Sequence, residues 1–226
     1  WQKFAAVSSA DKSEPYCLQL SLRFGTEGDT RRVTALFWGN SQRQLRVDVM
    51  AGVGVTGAKM LEAGPHSLVY SPRGSKAYFY QGATKPLLQV GVPVPFNLVH
   101  LADLLNGRYT AVFGNQFDKT AFSADGKALY DLQGQPGGRL IINEQGLPVE
   151  WQEQANGKGW SMEILYSDDP KPLPRRLNLA HSNGKRAIVL IKEREKVSQP
   201  FTKEQMALPL PDDAPLLPLA KFKQQQ

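Results

Sequence analysis

The residues with the most chemistry to offer are three glycines, three histidines, one cysteine and two aspartate pairs. Gly52, Gly54 and Gly57 match Gly-x-Gly-x-x-Gly. In a dinucleotide-binding unit that spacing brings backbone against a pyrophosphate at a helix N-terminus. The chemistry needs a helix after the third glycine and an acidic residue about twenty positions on. Here residues 58–63 are too few for that helix before Gly64-Pro65, and Ser71 and Pro72 stand where the acid should be. The pattern predicts a flexible loop between strands.

His66, His100 and His181 are isolated from one another and from the single cysteine, and no His-x-x-x-His pair occurs. No metal site and no cofactor are expected from them. Asp168-Asp169 and Asp212-Asp213 sit beside prolines and read as turn residues. No Gly-x-Ser-x-Gly elbow is present. Cys17 cannot form an internal disulfide alone, and its setting is that of a small strand residue. The expectation is a protein that is not an enzyme.

The aromatics Phe37, Trp38, Tyr78, Phe79 and Tyr80, with scattered Lys and Arg, have the composition of a stacking surface for single-stranded nucleic acid. Ordinary strand propensity explains them as well, and no nucleic-acid partner is expected. The net charge of +6 is spread over pairs such as Arg31-Arg32, Arg175-Arg176 and Lys185-Arg186 and not gathered into a block.

The elements that must position these residues are mostly strands. Leu18, Leu20, Leu22 and Phe24 alternate with Gln19, Ser21 and Arg23. Val33, Ala35 and Phe37 form a second such face, and Leu45, Val47 and Val49 a third, with Arg46 and Asp48 facing water. Connections this short force antiparallel neighbours. Residues 58–63, 66–71 and 77–80 extend the series, with Pro72-Arg73-Gly74-Ser75 as a hairpin turn. A helical interlude spans about 84–107. Asn97 is its N-cap, Leu98, Leu101, Leu104 and Leu105 make an oily stripe, and Gly107 is the stop. Strands then resume at Tyr109, with hairpin signals at Asp125-Gly126, Asn156-Gly157 and Asn183-Gly184. The alternating charges of 192–196 suit a solvated edge strand.

The result is a mainly β, unclosed antiparallel half-barrel of about ten or eleven strands with a short helical plug, occupying residues 1–198 as one domain. A proline-rich strap and tail, 199–226, follows. Residues 1–12 could open the chain with a short helix. The start at Trp1 without Met suggests a trimmed chain that has lost a targeting segment. Residues 87–105, the most apolar stretch, are cut by prolines and carry Asn97, His100 and Asp103, a poor hydrocarbon span. Val53 and Val55, aliphatic residues in a glycine-rich loop, suggest contact with a membrane or a partner.

In the order and spacing of several short pieces the chain resembles the LolA/LolB superfamily of lipoprotein carriers. The pieces are Leu36-Phe37-Trp38, Ala51-Gly52-Val53-Gly54, Val94-Pro95-Phe96-Asn97-Leu98 running to Asn106-Gly107, Asn156-Gly157-Lys158-Gly159-Trp160, and Pro174-Arg175-Arg176-Leu177 through Arg186. The resemblance covers roughly residues 18–193. It implies a half-barrel that houses acyl chains of lipoproteins in the Gram-negative periplasm. It also implies anchoring to the outer membrane by an N-terminal lipid, removed with the trimmed start. The expected partners are acyl chains of lipids or lipoproteins, the outer-membrane surface and a periplasmic carrier protein. The protruding loop of the family carries an aliphatic residue that hands cargo to the membrane. By position this is Val53, where receptors of the family carry leucine.

Together these readings predict an acyl-binding surface of Leu20, Leu22, Phe24, Val33, Phe37, Val47 and Val49 beneath Leu98, Leu101, Leu104 and Leu105. Val53 and Val55 are the predicted membrane or cargo-release loop. Two other classes stay open: a non-catalytic envelope assembly factor whose hollow is fully packed, and an envelope hydrolase.

Overall fold

The computed structural model describes residues 1–221 except 9–13, 42–43, 52–55, 65, 82–84, 135 and 155. The elements are α1 (Gln2–Val7), β1 (Tyr16–Thr26), β2 (Asp29–Ser41), β3 (Gln44–Met50), β4 (Thr56–Ala63), β5 (His66–Ser71) and β6 (Lys76–Gln81). Three short helices follow: α2 (Pro86–Gln89), α3 (Leu98–Leu105) and α4 (Tyr109–Phe113). Next come β7 (Phe117–Phe122), β8 (Ala128–Leu132), β9 (Arg139–Ile142), β10 (Pro148–Gln152), β11 (Trp160–Tyr166), β12 (Pro174–His181) and β13 (Arg186–Glu195). The chain continues through α5 (Lys203–Met206) and β14 (Leu216–Pro218).

The strands hydrogen-bond in the order β14-β6-β5-β4-β3-β2-β1-β13-β12-β11-β10-β9-β8-β7. Successive pairs from β2 to β6 and from β7 to β12 are antiparallel, and β14 runs parallel to β6. The two end strands, β14 and β7, are not neighbours, so the sheet is unclosed. This is the expected class: a mainly β fold of the half-barrel type with a few short helices.

The chain divides into two compact units. One holds Trp1–Lys12, Gly25–Thr30 and His100–Val189. Its strands carry an apolar row read straight across the register, Tyr130–Leu140–Trp151–Met162–Leu179, with Ile164 opposite Leu177 beside it. All seven side chains are buried. The opposite face of the same strands carries Asp131, Arg139, Glu150, Glu163 and Asn178, as the two-residue period requires. Trp1 packs its ring against Phe4, Phe117 and Tyr130, at centroid distances of 4.6, 5.0 and 4.8 Å.

The other unit holds Ser13–Phe24, Arg31–Val99 and Leu190–Gln226. Its strands show the same alternation. One face carries Phe37–Val47–Met60–Val69–Tyr78, a rung of directly paired residues across five strands. Beside it lies Ala35–Val49–Ala58. The segment from Pro86 to Leu98 is equally apolar and is buried at Pro86, Leu87, Val92, Val94, Phe96 and Leu98.

Several expectations need correction. The chain after Gly107 forms α4 before any strand, and the sheet resumes at Phe117. Five residues are too few to display a helical period, and the alternation of Tyr109 to Phe113 mimics a strand. The described residues form fourteen strands, more than ten or eleven. The strand not foreseen is β14, three residues long and mostly exposed, which shows no hydrophobic pattern; the runs on either side of Asp125-Gly126 are β7 and β8. The charged run 192–196 is not an edge: β13 lies between β1 and β12. Lys192, Glu193 and Glu195 are exposed on a strand that has a neighbour on each side.

Arg46, expected to face water, is buried at 5% exposure. The cause is the proline-rich segment, which docks on the outward face of β2 and β3. Asn40 clamps Phe201, donating from Nδ2 to its carbonyl at 2.8 Å and accepting from its N–H at 2.6 Å. Arg46 donates to the carbonyl of Ala207, pairs with Asp48 at 2.9 Å and lies 5.3 Å from the Trp38 ring centre. Thr202 and Gln205 form a capping box that starts α5, and Met206, Leu208 and Leu219 are buried. β14 then pairs with β6, and residues 222–226 lie outside those described.

Candidate functional site

The predicted acyl-binding residues fall into the two element groups that the sequence suggested. On β1, Leu20 and Leu22 are buried and Phe24 is half-buried. Tyr16, two alternations earlier on the same face of the strand, meets the Phe37 ring edge-on at 5.6 Å, which puts this face of β1 on the side of Phe37. Phe37 pairs directly with Val47, and Ala35 with Val49. Val33 is half-buried near the start of β2. Leu98, Leu101, Leu104 and Leu105 all lie on α3, each at 1% exposure or less. Val53 and Val55 lie outside the described residues.

Gly57, the third glycine of the dinucleotide-like pattern, sits inside a strand, β4, and opens no helix. A helix N-terminus for a pyrophosphate is therefore missing there. Among the described residues no three His, Cys, Asp or Glu side chains come together, and no helix is long and apolar enough to cross a membrane.

α3 ends in a structure that the sequence reading missed. Gly107 takes φ 76°, and a side chain there would meet Leu173 Cδ2 at 2.8 Å. The reversal brings Arg108 back onto α3. Its guanidinium donates to Asp103 Oδ1 at 2.6 Å and its N–H to the Asp103 carbonyl at 2.8 Å. Both side chains are nearly inaccessible, at 5% and 1%. His100, one helical turn before Asp103, is held below its usual range by burial, against the pull of the Asp103 charge. The (i, i+5) spacing of Asp103 and Arg108 across an Asn-Gly stop was the available signal.

A polar row borders the apolar rung on the same face. Glu62 pairs with Ser67 across β4 and β5, and Ser67 with Tyr80 across β5 and β6. Ser67 hydrogen-bonds Tyr80, and the Tyr80 hydroxyl donates to Glu62 Oε2 at 3.3 Å. Burial raises the Glu62 carboxyl above its usual range, partly opposed by that bond. Burial also raises the Tyr80 phenol. Cys17 on β1 is buried, and burial, with Glu195 adding, pushes its thiol up to about 11.

No protein-family model and no curated protein matches the sequence. Solved structures do match the fold. A LolA superfamily protein from Nitrosomonas europaea is 13% identical and superposes with TM-score 0.61 over 90% of this chain and 96% of that one. A domain named for outer membrane lipoprotein sorting, from Vibrio parahaemolyticus, is 7% identical with TM-score 0.56, over 91% and 93% of the two chains. A DUF1329 family protein from Desulfovibrio piger is 9% identical with TM-score 0.63, over 91% and 95%. Unclosed sheet, short helices and these neighbours define the class: the chain has a LolA-type fold.

Proposed function

We propose that this protein is a non-catalytic carrier that shields acyl chains of lipids or lipoproteins in the periplasm and delivers them to the outer membrane. The observation that carries the reading is the unbroken apolar rung Phe37–Val47–Met60–Val69–Tyr78, in a chain with the LolA-type fold. The proposed contacts are Leu20, Leu22, Phe24, Val33, Phe37, Val47 and Val49 on the strands, and Leu98, Leu101, Leu104 and Leu105 on α3. Val53 and Val55 supply the proposed membrane-facing loop. A periplasmic carrier protein is the proposed donor of cargo.

Most of these side chains are sealed: Phe37, Leu98, Leu104 and Leu105 are at 0% exposure. Water cannot touch them, so cargo must enter by displacing protein side chains. Uncovering one such side chain costs about 1.5–3 kcal/mol, and a buried methylene returns about 0.8 kcal/mol. A chain of about fourteen methylenes therefore returns roughly 11 kcal/mol, which offsets the opening of roughly four to seven side chains. The exchange is feasible without any covalent step.

The same sealing favours a second reading, an envelope assembly factor whose interior stays packed. Native mass spectrometry of protein drawn gently from cells separates the two. The carrier reading expects an added mass of lipid or acylated peptide that organic solvent removes. A bare polypeptide mass from every preparation, together with no uptake of added lysolipid, rejects it.

A further inference from the structure

The carrier reading leaves one inward-facing group unused. Glu62 lies two residues past Met60 on β4, so it shares the face of the apolar rung and stands at its end nearest the β4–β5 turn. Its neighbours along the row are Leu45, at 0% exposure, and Ser67, at 5%. A carboxylate on such a face is costly unless a cation or several donors satisfy it. Among the described residues the one side-chain partner of Glu62 is the Tyr80 hydroxyl.

The direction of the hydrogen bonds fixes what this group can take. Tyr80, which stands opposite Ser67 across β5 and β6, donates to Glu62. The carboxylate is thus an acceptor with lone pairs to spare. A ligand group here must therefore donate hydrogen bonds, and a positive charge adds to the attraction. Another carboxylate or a phosphate would be repelled.

We propose that Glu62, oriented by Tyr80 and Ser67, binds the primary ammonium of an amphiphile whose acyl chain lies along the Phe37–Val47–Met60–Val69–Tyr78 rung. This rests on the carrier reading and adds to it the polar end of the cargo. An aminophospholipid headgroup has the required chemistry. A quaternary ammonium has the charge but no N–H, and a glycerol headgroup has O–H donors but no positive charge.

Calorimetric titration with lysophosphatidylethanolamine, lysophosphatidylcholine and lysophosphatidylglycerol, each below its micelle threshold, tests it on the unaltered protein. The ethanolamine lipid should bind about tenfold tighter than the other two, the worth of one charge-assisted hydrogen bond. Glu62→Gln should abolish that preference, with its unfolding midpoint recorded alongside. Ethanolamine alone should bind at least about a hundredfold more weakly than its lysolipid, since it has no acyl chain to bury. Equal binding of the three lipids, a preference that survives Glu62→Gln, or tight binding of free ethanolamine would each overturn the ammonium site. Binding of none of the three would reject the carrier reading itself.

Discussion

Replacing Arg46 by Ala tests whether the C-terminal segment is an integral part of the fold. Besides the contact with the Trp38 ring, two interactions dominate the loss: the charged hydrogen bond to the Ala207 carbonyl and the pair with Asp48. A hydrogen bond from a charged donor contributes about 1.5–3 kcal/mol when buried. The Asp48 side chain keeps 22% of its surface in water, so the pair adds roughly 1 kcal/mol or less. The expected loss is about 2–4 kcal/mol, read by urea denaturation at a fixed m-value. A chain ended after Val197 has no Ala207 carbonyl to lose. In that background Arg46→Ala should cost roughly 1 kcal/mol, giving a coupling energy of about 1.5–3 kcal/mol in a double-mutant cycle. Equal costs in the two backgrounds would refute the argument that the segment, and not Asp48 alone, keeps Arg46 out of water.

Three further outcomes follow from the structure. Asp103→Asn should destabilise by about 3–5 kcal/mol in the same assay, because it strands the buried Arg108 guanidinium; a loss under about 1 kcal/mol would mean the pair is solvated. Cys17, with its thiol raised to about 11, holds almost no thiolate at pH 8. Iodoacetamide should label it only in denaturant, and rapid labelling of the native protein would contradict its burial. Val53→Glu should abolish association with anionic liposomes by flotation, with stability unchanged; undiminished flotation rejects the loop proposal.

The alternation of Leu18, Leu20 and Leu22, and of Leu45, Val47 and Val49, placed β1 and β3 and the buried face of each. Asn97 and Gly107 bounded α3 because cap chemistry is local. What escaped was set by distant partners. Arg46 reads as solvent-facing because nothing within β3 reveals that residues 201–208 return to cover it. α4 was hidden by its shortness. The Glu62–Ser67–Tyr80 row was within reach: the two-residue connection after Ala63 sets Glu62 opposite Ser67, and the next hairpin sets Ser67 opposite Tyr80. Finding it needed registers, and residue-by-residue inspection supplied only faces.

The central claim is that an acyl chain lies against the strand face of Phe37, Val47 and Met60. A lysolipid carrying a photoactivatable diazirine near its acyl terminus, irradiated in complex and mapped by peptide mass spectrometry, tests it directly. The account predicts adducts within β2 to β4 and within residues 86–105, lost when unlabelled lysolipid competes. Adducts confined to exposed sites such as Phe122 or Leu216, or unaffected by competitor, would contradict it.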